Sequence, residues 1–166
     1  FITFAKIYDK IYLKEGKKKD KIIFCGPFKK GIHKIDNTIF KTLSLLRDKN
    51  FIKKIFFTIK VTKNIPIKSG LGGGSMNAAS ILTFIINRYK LKIQYEDILK
   101  LAKEIGSDVA VGLKFKNTYF DSDQKKVKRY KKKLGLFLVL VKPNVSCSTK
   151  LIYSKNKKFS KKYKKK

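Results

Sequence analysis

At 166 residues and 43% hydrophobic, the chain has the size of one domain, or one and a piece, and can bury a core without disulfide or metal staples. Its longest apolar run, residues 134–141, falls far short of the roughly 20 residues of a membrane span, and no secretory signal is visible. The formal charge of +31 suits a nucleic-acid or anionic partner, but of 42 basic residues only Arg47, Arg88 and Arg129 are arginine. A lysine excess spread along the chain, beside abundant Ile, Phe, Asn and Tyr, fits the mutational bias of an AT-rich genome better than specific nucleic-acid binding, which favours arginine forks.

In chain order, residues 1–13 read as a strand or two and residues 21–25 as another, closed by Gly26-Pro27. Asp36 and Asn37 offer a cap for a helix that carries Ile39, Leu43 and Leu46 at i, i+4, i+7 and ends near 48–50. His33, in the loop before it, is assigned no role. Residues 51–62 form the clearest strand, with Ile55, Phe57, Ile59 and Val61 alternating against Phe56, Thr58, Lys60 and Thr62. Residues 75–89 are helical, with Ala78, Ala79, Leu82, Ile85, Ile86 and Tyr89 on one broad face. A second helix covers 95–105 and stops at Gly106. Residues 114–120 and 134–142 read as strands around a charged hairpin, 121–133, the second strand being of the buried central type and ended by Pro143. Cys25 and Cys147 sit among apolar or strand-like neighbours, outside any Cys-x-x-Cys or histidine cluster, as buried thiols in a reducing cytoplasm would; ligand count excludes a structural zinc site. The lysine-rich residues 154–166 lack an apolar stripe and read as disordered in isolation.

Between the clearest strand and the helix after it lie Pro66, Ile67, Lys68, Ser69, Gly70, Leu71, Gly72, Gly73, Gly74, Ser75 and Met76, a stretch that holds four of the chain's ten glycines. Glycines there allow φ > 0 and close approach of a ligand, and the free N–H groups of the helix that follows face the loop. With the positive end of the helix dipole, that is the geometry of an anion site, whose usual occupant is a nucleotide phosphate. A Cβ at Gly73 is expected to intrude on phosphate space. The stretch is neither a Walker A loop, for want of Gly-Lys-Ser/Thr, nor a dinucleotide fingerprint, because Ser75 stands where the third glycine belongs. A helix-entry turn without a ligand is the bland alternative. Asp108 likewise has two readings: the N-cap of a short helix, or a carboxylate that does chemistry.

Pro66-x-x-x-Gly70-Leu-Gly-Gly-Gly-Ser75-x-Asn77-Ala-Ala resembles the phosphate loop of the GHMP small-molecule kinases, in particular the branch that acts on 4-diphosphocytidyl-2-C-methyl-D-erythritol. Ile105-Gly-Ser-Asp108-Val109 resembles the segment that carries that branch's catalytic aspartate, and Ser148-Thr149-Lys150 its short Ser-Thr segment. The resemblance, over residues 1–153, implies an α+β fold, the ATP-binding amino-terminal lobe of the family, which is similar to a ribosomal-protein domain. It also implies ATP with Mg²⁺, a cytoplasmic enzyme of isoprenoid-precursor synthesis, and transfer of the γ-phosphate to the substrate's 2-hydroxyl, with Asp108 taking the proton while residues 66–76 wrap the triphosphate. Three departures accompany it. The family's amino-terminal Ala-Lys-Ile-Asn segment is absent, Ala5-Lys6-Ile7-Tyr8 being a superficial echo later in the order; much of the carboxy-terminal lobe is absent, residues 154–166 being its start or a disordered tail; and Met76 replaces a common second serine. An incomplete kinase chain is therefore expected. A basic nucleic-acid-binding module is the alternative, supported by charge alone, and it has no need of the glycine loop.

Overall fold

The computed structural model of the chain describes residues 1–33, 37–121, 126–131, 135–141 and 154–156. Strands β1 (Lys10–Gly16), β2 (Lys21–Cys25) and β3 (Phe56–Thr62) form one sheet in the order β1-β3-β2. β1 runs antiparallel to β3 and β2 parallel to it. The β2–β3 connection contains helix α1 (Thr38–Asp48), as a parallel crossover requires. Helices α2 (Gly73–Arg88), α3 (Tyr95–Ile105) and the short α4 (Val109–Gly112) follow. A two-stranded ladder pairs β4 (Asn117–Asp121) with β5 (Lys126–Tyr130).

Among the described residues, helices cover one face of the central sheet. Phe57, Ile59 and Val61 are fully buried on it, and their register neighbours Ile11, Leu13, Ile22 and Phe24 pack against the same core. The helices fill the other side of that core with Ile39, Leu43 and Leu46 of α1, Ala78, Ala79, Ile81, Leu82 and Ile85 of α2, and Leu101, Ala102 and Ile105 of α3. Period 2 in the strand and period 3.6 in the helices thus point at one interior, and the apolar faces read from the sequence are the ones buried.

Helix ends follow local chemistry. The Asn37 side chain accepts from the amides of Ile39 and Phe40 and caps α1; Asp36 lies outside the described residues. Beyond α1, Asn50 takes φ 63°, the Phe51 amide donates to the Leu46 carbonyl (2.9 Å) and the Asn50 amide to that of Arg47 (2.8 Å). This Schellman ending explains a departure from expectation. Residues 51–54 form a turn rather than the start of β3, and Ile52 is buried in the core from that turn. α2 ends the same way, with Lys90 at φ 48° and the Leu91 amide on the Ile86 carbonyl (2.9 Å).

Three more expectations change. Residues 1–9 are irregular apart from one bridge, Ile2 to Thr118, which ties the amino end to β4. The charged hairpin contributes strand β5 itself. Residues 135–141 are not a buried central strand: they carry no ladder among the described residues, and Phe137, Val139 and Val141 stand almost fully exposed. Leu134, Lys142, Pro143, Cys147 and Ser148-Thr149-Lys150 lie outside the described residues. Cys25 is half-buried, with Sγ 3.5 Å from the Val61 carbonyl and 3.3 Å from the Thr62 hydroxyl. No described helix is long and apolar enough to cross a membrane.

Left-handed backbone disfavours a residue with a Cβ, and glycine relieves that strain at a Schellman C′ position. Lys90→Gly is therefore expected to stabilise the fold by about 1 kcal/mol, read as a higher midpoint in urea unfolding with unchanged slope.

Candidate functional site

β3 and α2 hold the glycine loop between them. Lys68 (φ 52°), Gly70 (φ 73°) and Gly72 (φ 67°) place left-handed backbone at every second position of its centre. The Ser69 hydroxyl donates to the Pro66 carbonyl (2.8 Å) and accepts from the Leu71 amide (3.4 Å), closing the first half of the loop. α2 starts at Gly73, two residues before the expected Ser75, with left-handed Gly72 as its N-cap and no side chain capping it. The Met76 amide makes the first helical bond, to Gly72 (2.9 Å), so by helix geometry the amides of Gly73, Gly74 and Ser75 have no intrahelical acceptor. A cavity of about 1030 Å³ opens over them, lined also by Asn37, Thr38, Lys63, Ser69 and Asp108. A Cβ at Gly70 or Gly72 would meet nothing within 4 Å, so the backbone there borders open space.

At Gly73 the structure corrects the sequence expectation. A Cβ there would not enter phosphate space; it would meet the Ile65 side chain, 3.0 Å from Cγ2 and 3.2 Å from Cβ. Gly73 is buried and serves the packing of α2 on the strand exit while its backbone lines the cavity; Gly70 and Gly72 are the loop glycines at which a Cβ would meet open space.

Asp108 occupies the N-cap position of α4, but its side chain makes no capping bond. The carboxylate is exposed and accepts from the Ser107 hydroxyl (3.1 Å). It borders both the glycine-loop cavity and a second, largely apolar one of about 560 Å³, lined by Ile2, Phe4, Ile7, Tyr8, Leu71 and Phe115 among others. α4 is seated by two contacts that the sequence did not announce. Gly112 lets it touch α2: a Cβ would lie 2.7 Å from the Ala79 methyl and 3.0 Å from the end of Met76. Behind it, the Arg129 guanidinium donates to the carbonyls of Ala110 (2.6 Å), Val111 (2.7 Å) and Lys114 (3.0 Å) and to the Thr118 hydroxyl (2.7 Å).

A third group was not legible either. Asp9, just ahead of β1, has a fully buried side chain on a half-buried residue, beside the nearly buried Lys63, and the two form an ion pair. The Asp9 carboxylate also accepts from the amides of Asn64 (2.7 Å) and Ile65 (2.9 Å) and from the Asn77 side chain (2.8 Å). Burial alone would raise its pKa, but Lys63, Ile65, Asn77 and Asn64 together outweigh burial and hold it below the ordinary carboxylate value.

The structure is thus a mixed sheet-and-helix lobe with an open glycine loop at a helix start and a carboxylate on the lining of the same cavity. Residues 37–114 match the GHMP kinases N terminal domain, and the chain belongs to that family. It is 45% identical over 161 residues to a 4-diphosphocytidyl-2-C-methyl-D-erythritol kinase of Pelagibacter ubique (strain HTCC1062), covering 96% of this chain and 57% of that relative. A kinase of the same name from Clostridium botulinum (strain Okra / Type B1) is 35% identical over 149 residues, 89% of this chain and 52% of its own length. The chain thus spans little more than half the length of these relatives. A crystal structure titled 4-(cytidine 5'-diphospho)-2C-methyl-D-erythritol kinase superposes with a TM-score of 0.56 at 24% identity, over 74% of this chain and 41% of that one, and shows a common fold.

Two outcomes test this geometry. Gly112→Ala overpacks the α2–α4 contact and is expected to cost about 1–3 kcal/mol, measured by urea unfolding. For Asp9 the folded pKa lies below the unfolded value of about 3.9, so its stabilisation is complete above that pH and is lost as pH falls through the folded value. Asp9→Asn cannot titrate, so its stability deficit against wild type should narrow below about pH 4, as followed by circular dichroism.

Proposed function

We propose that the chain is the ATP-binding lobe of a kinase that phosphorylates the 2-hydroxyl of 4-diphosphocytidyl-2-C-methyl-D-erythritol, a cytoplasmic step of isoprenoid-precursor synthesis. The observation that carries this reading is the position of Asp108 at the junction of two cavities, one of them bounded by the glycine loop. The names borne by the relatives supply the substrate. Within this reading, residues 1–153 are the ATP lobe, and residues 154–166 are a lysine-rich tail or the start of a second lobe.

The residues fit a triphosphate: three amides without helical partners, two left-handed glycines facing open space and the positive end of a sixteen-residue helix converge on one cavity. Bound in that cavity against residues 66–76, ATP would supply the transferable phosphoryl group and Mg²⁺ would neutralise its charge. The chain's own part is to position and to take a proton. Pro66, Ile67, Lys68, Ser69, Gly70, Leu71, Gly72, Gly73, Gly74, Ser75 and Met76 enclose the phosphates, with Gly73 acting through Ile65 as a packing residue. Asp108 accepts the proton of the substrate hydroxyl presented from the apolar cavity. Exposure leaves that carboxylate free to reach a hydroxyl at the roughly 2.6–3.2 Å that general-base catalysis requires.

Calorimetry with MgATP tests the loop directly. Wild type is expected to bind, and Gly72→Val, which puts a side chain into the open cavity, to weaken binding by about tenfold or more. Absence of MgATP binding by folded wild type would falsify the assignment. In a protein extended to the relatives' full length, Asp108→Asn is expected to lower kcat by about 10²–10⁴-fold with nucleotide affinity little changed. Near-normal kcat in that variant would remove Asp108 from the mechanism.

A further inference from the structure

We infer that Asp9 is a positioning residue: its single buried carboxylate sets the shape of the glycine loop by holding both of the loop's ends. On the entry side it accepts from the Asn64 and Ile65 amides at 2.7 and 2.9 Å; on the exit side it accepts from the Asn77 side chain in the first turns of α2 at 2.8 Å. Twelve residues of chain separate Asn64 from Asn77, and the stretch between them contains three left-handed residues, which on their own give an open, adaptable segment. One acceptor group shared by both ends fixes the span that this segment must close. The Lys63 ammonium supplies the positive partner for the charge, and both side chains of the pair are shielded from solvent.

The relation to the proposed function is one of depth: a loop held at both ends presents its amides to phosphate without an ordering cost on binding. Asp9 itself borders the apolar cavity and not the larger one over the helix amides, so its effect on nucleotide passes through Asn64, Ile65 and Asn77. A structural role alone would lower stability and leave the loop's local opening and its affinity unchanged in the folded fraction.

Asp20 provides the control. Its carboxylate also accepts a backbone amide, that of Phe57 (2.9 Å), and pairs with Arg47 (2.9 Å), but it lies at the far end of β3 from the loop. Native-state amide exchange without ligand is compared in the 166-residue wild type, Asp9→Asn, Asp20→Asn and the milder Asn77→Ala, which removes the exit-side strut only. In Asp9→Asn, exchange at Ile65 and Met76 is expected to rise by about tenfold or more; in Asn77→Ala it rises at Met76; in Asp20→Asn it stays at the wild-type level at both despite a lower Tm. MgATP affinity, measured well below each Tm, is expected to weaken by about tenfold in Asp9→Asn and to hold in Asp20→Asn. Unchanged exchange at Ile65 and Met76 in both Asp9→Asn and Asn77→Ala overturns the clamp. Faster exchange at the loop ends, in a wild-type background that does not bind MgATP, establishes the clamp and overturns the nucleotide reading instead.

Discussion

The burial of one carboxylate organises this lobe. An isolated charge withdrawn from water costs many kcal/mol, and it persists in a fold only when paired and fully hydrogen-bonded. Asp9 meets that condition by collecting Lys63, the amides of Asn64 and Ile65, and Asn77. Each partner belongs to a different part of the site: Lys63 to the exit of β3, Asn64 and Ile65 to the approach to the loop, Asn77 to α2. Satisfying the charge therefore forces the segment ahead of β1, the end of β3 and the start of α2 into one arrangement. Ile65, drawn in by its amide, supplies the surface on which Gly73 must lack a side chain. The glycine loop is thus placed by a polar constraint from behind and left open in front.

A similar economy governs the basic residues. Lysine dominates the composition, yet arginine stands where one side chain must serve several acceptors. Arg47 pairs with Asp20, donates to the Ile55 carbonyl (3.0 Å) and lies over the Phe56 ring, joining α1 to the β2–β3 end of the sheet. Arg129 gathers three carbonyls and a hydroxyl around the carboxyl end of α4. A lysine ammonium has no planar fork and could not span those acceptors. The remaining arginine, Arg88, is exposed in the last turn of α2, where its charge complements the helix dipole. Two of the three arginines thus have structural duties.

The legible parts of the fold were those in which local pattern and burial coincide. Alternation marked Phe57, Ile59 and Val61, helical spacing marked Ile39, Leu43 and Leu46, and Asn37 declared itself as a cap; all were found in those roles. The glycine loop and Asp108 were legible because motifs of fixed spacing singled them out, and the structure brings them to one cavity. Asp9, Lys63 and Arg129 were not legible, for one shared reason. Their partners lie 54 residues away for Asp9 and Lys63 and 18 or 19 for Arg129 with the carbonyls of α4, so no window of local sequence contains both halves of the interaction. A cue existed for Gly112, a glycine between apolar residues just after an α3 stop, where close helix approach is a usual cause. For Asp9 the surroundings gave only an acidic residue among aromatic and basic ones.

The segment at 135–141 shows the limit of pattern in the other direction. Leu136, Phe137, Leu138, Val139, Leu140 and Val141 have every local property of a buried central strand, yet all six are more than half exposed. Hydrophobic composition states which side chains gain by leaving water; it does not supply the surface that covers them. Here the described residues offer cover on one side only, where Leu138 and Leu140 line the apolar cavity with Phe4, Ile7 and Phe115. Leu136, Phe137, Val139 and Val141 are absent from that lining. The same segment therefore closes one wall of the cavity beside Asp108 and turns an apolar edge outward, so the shape of that cavity depends on whatever fixes the segment's course.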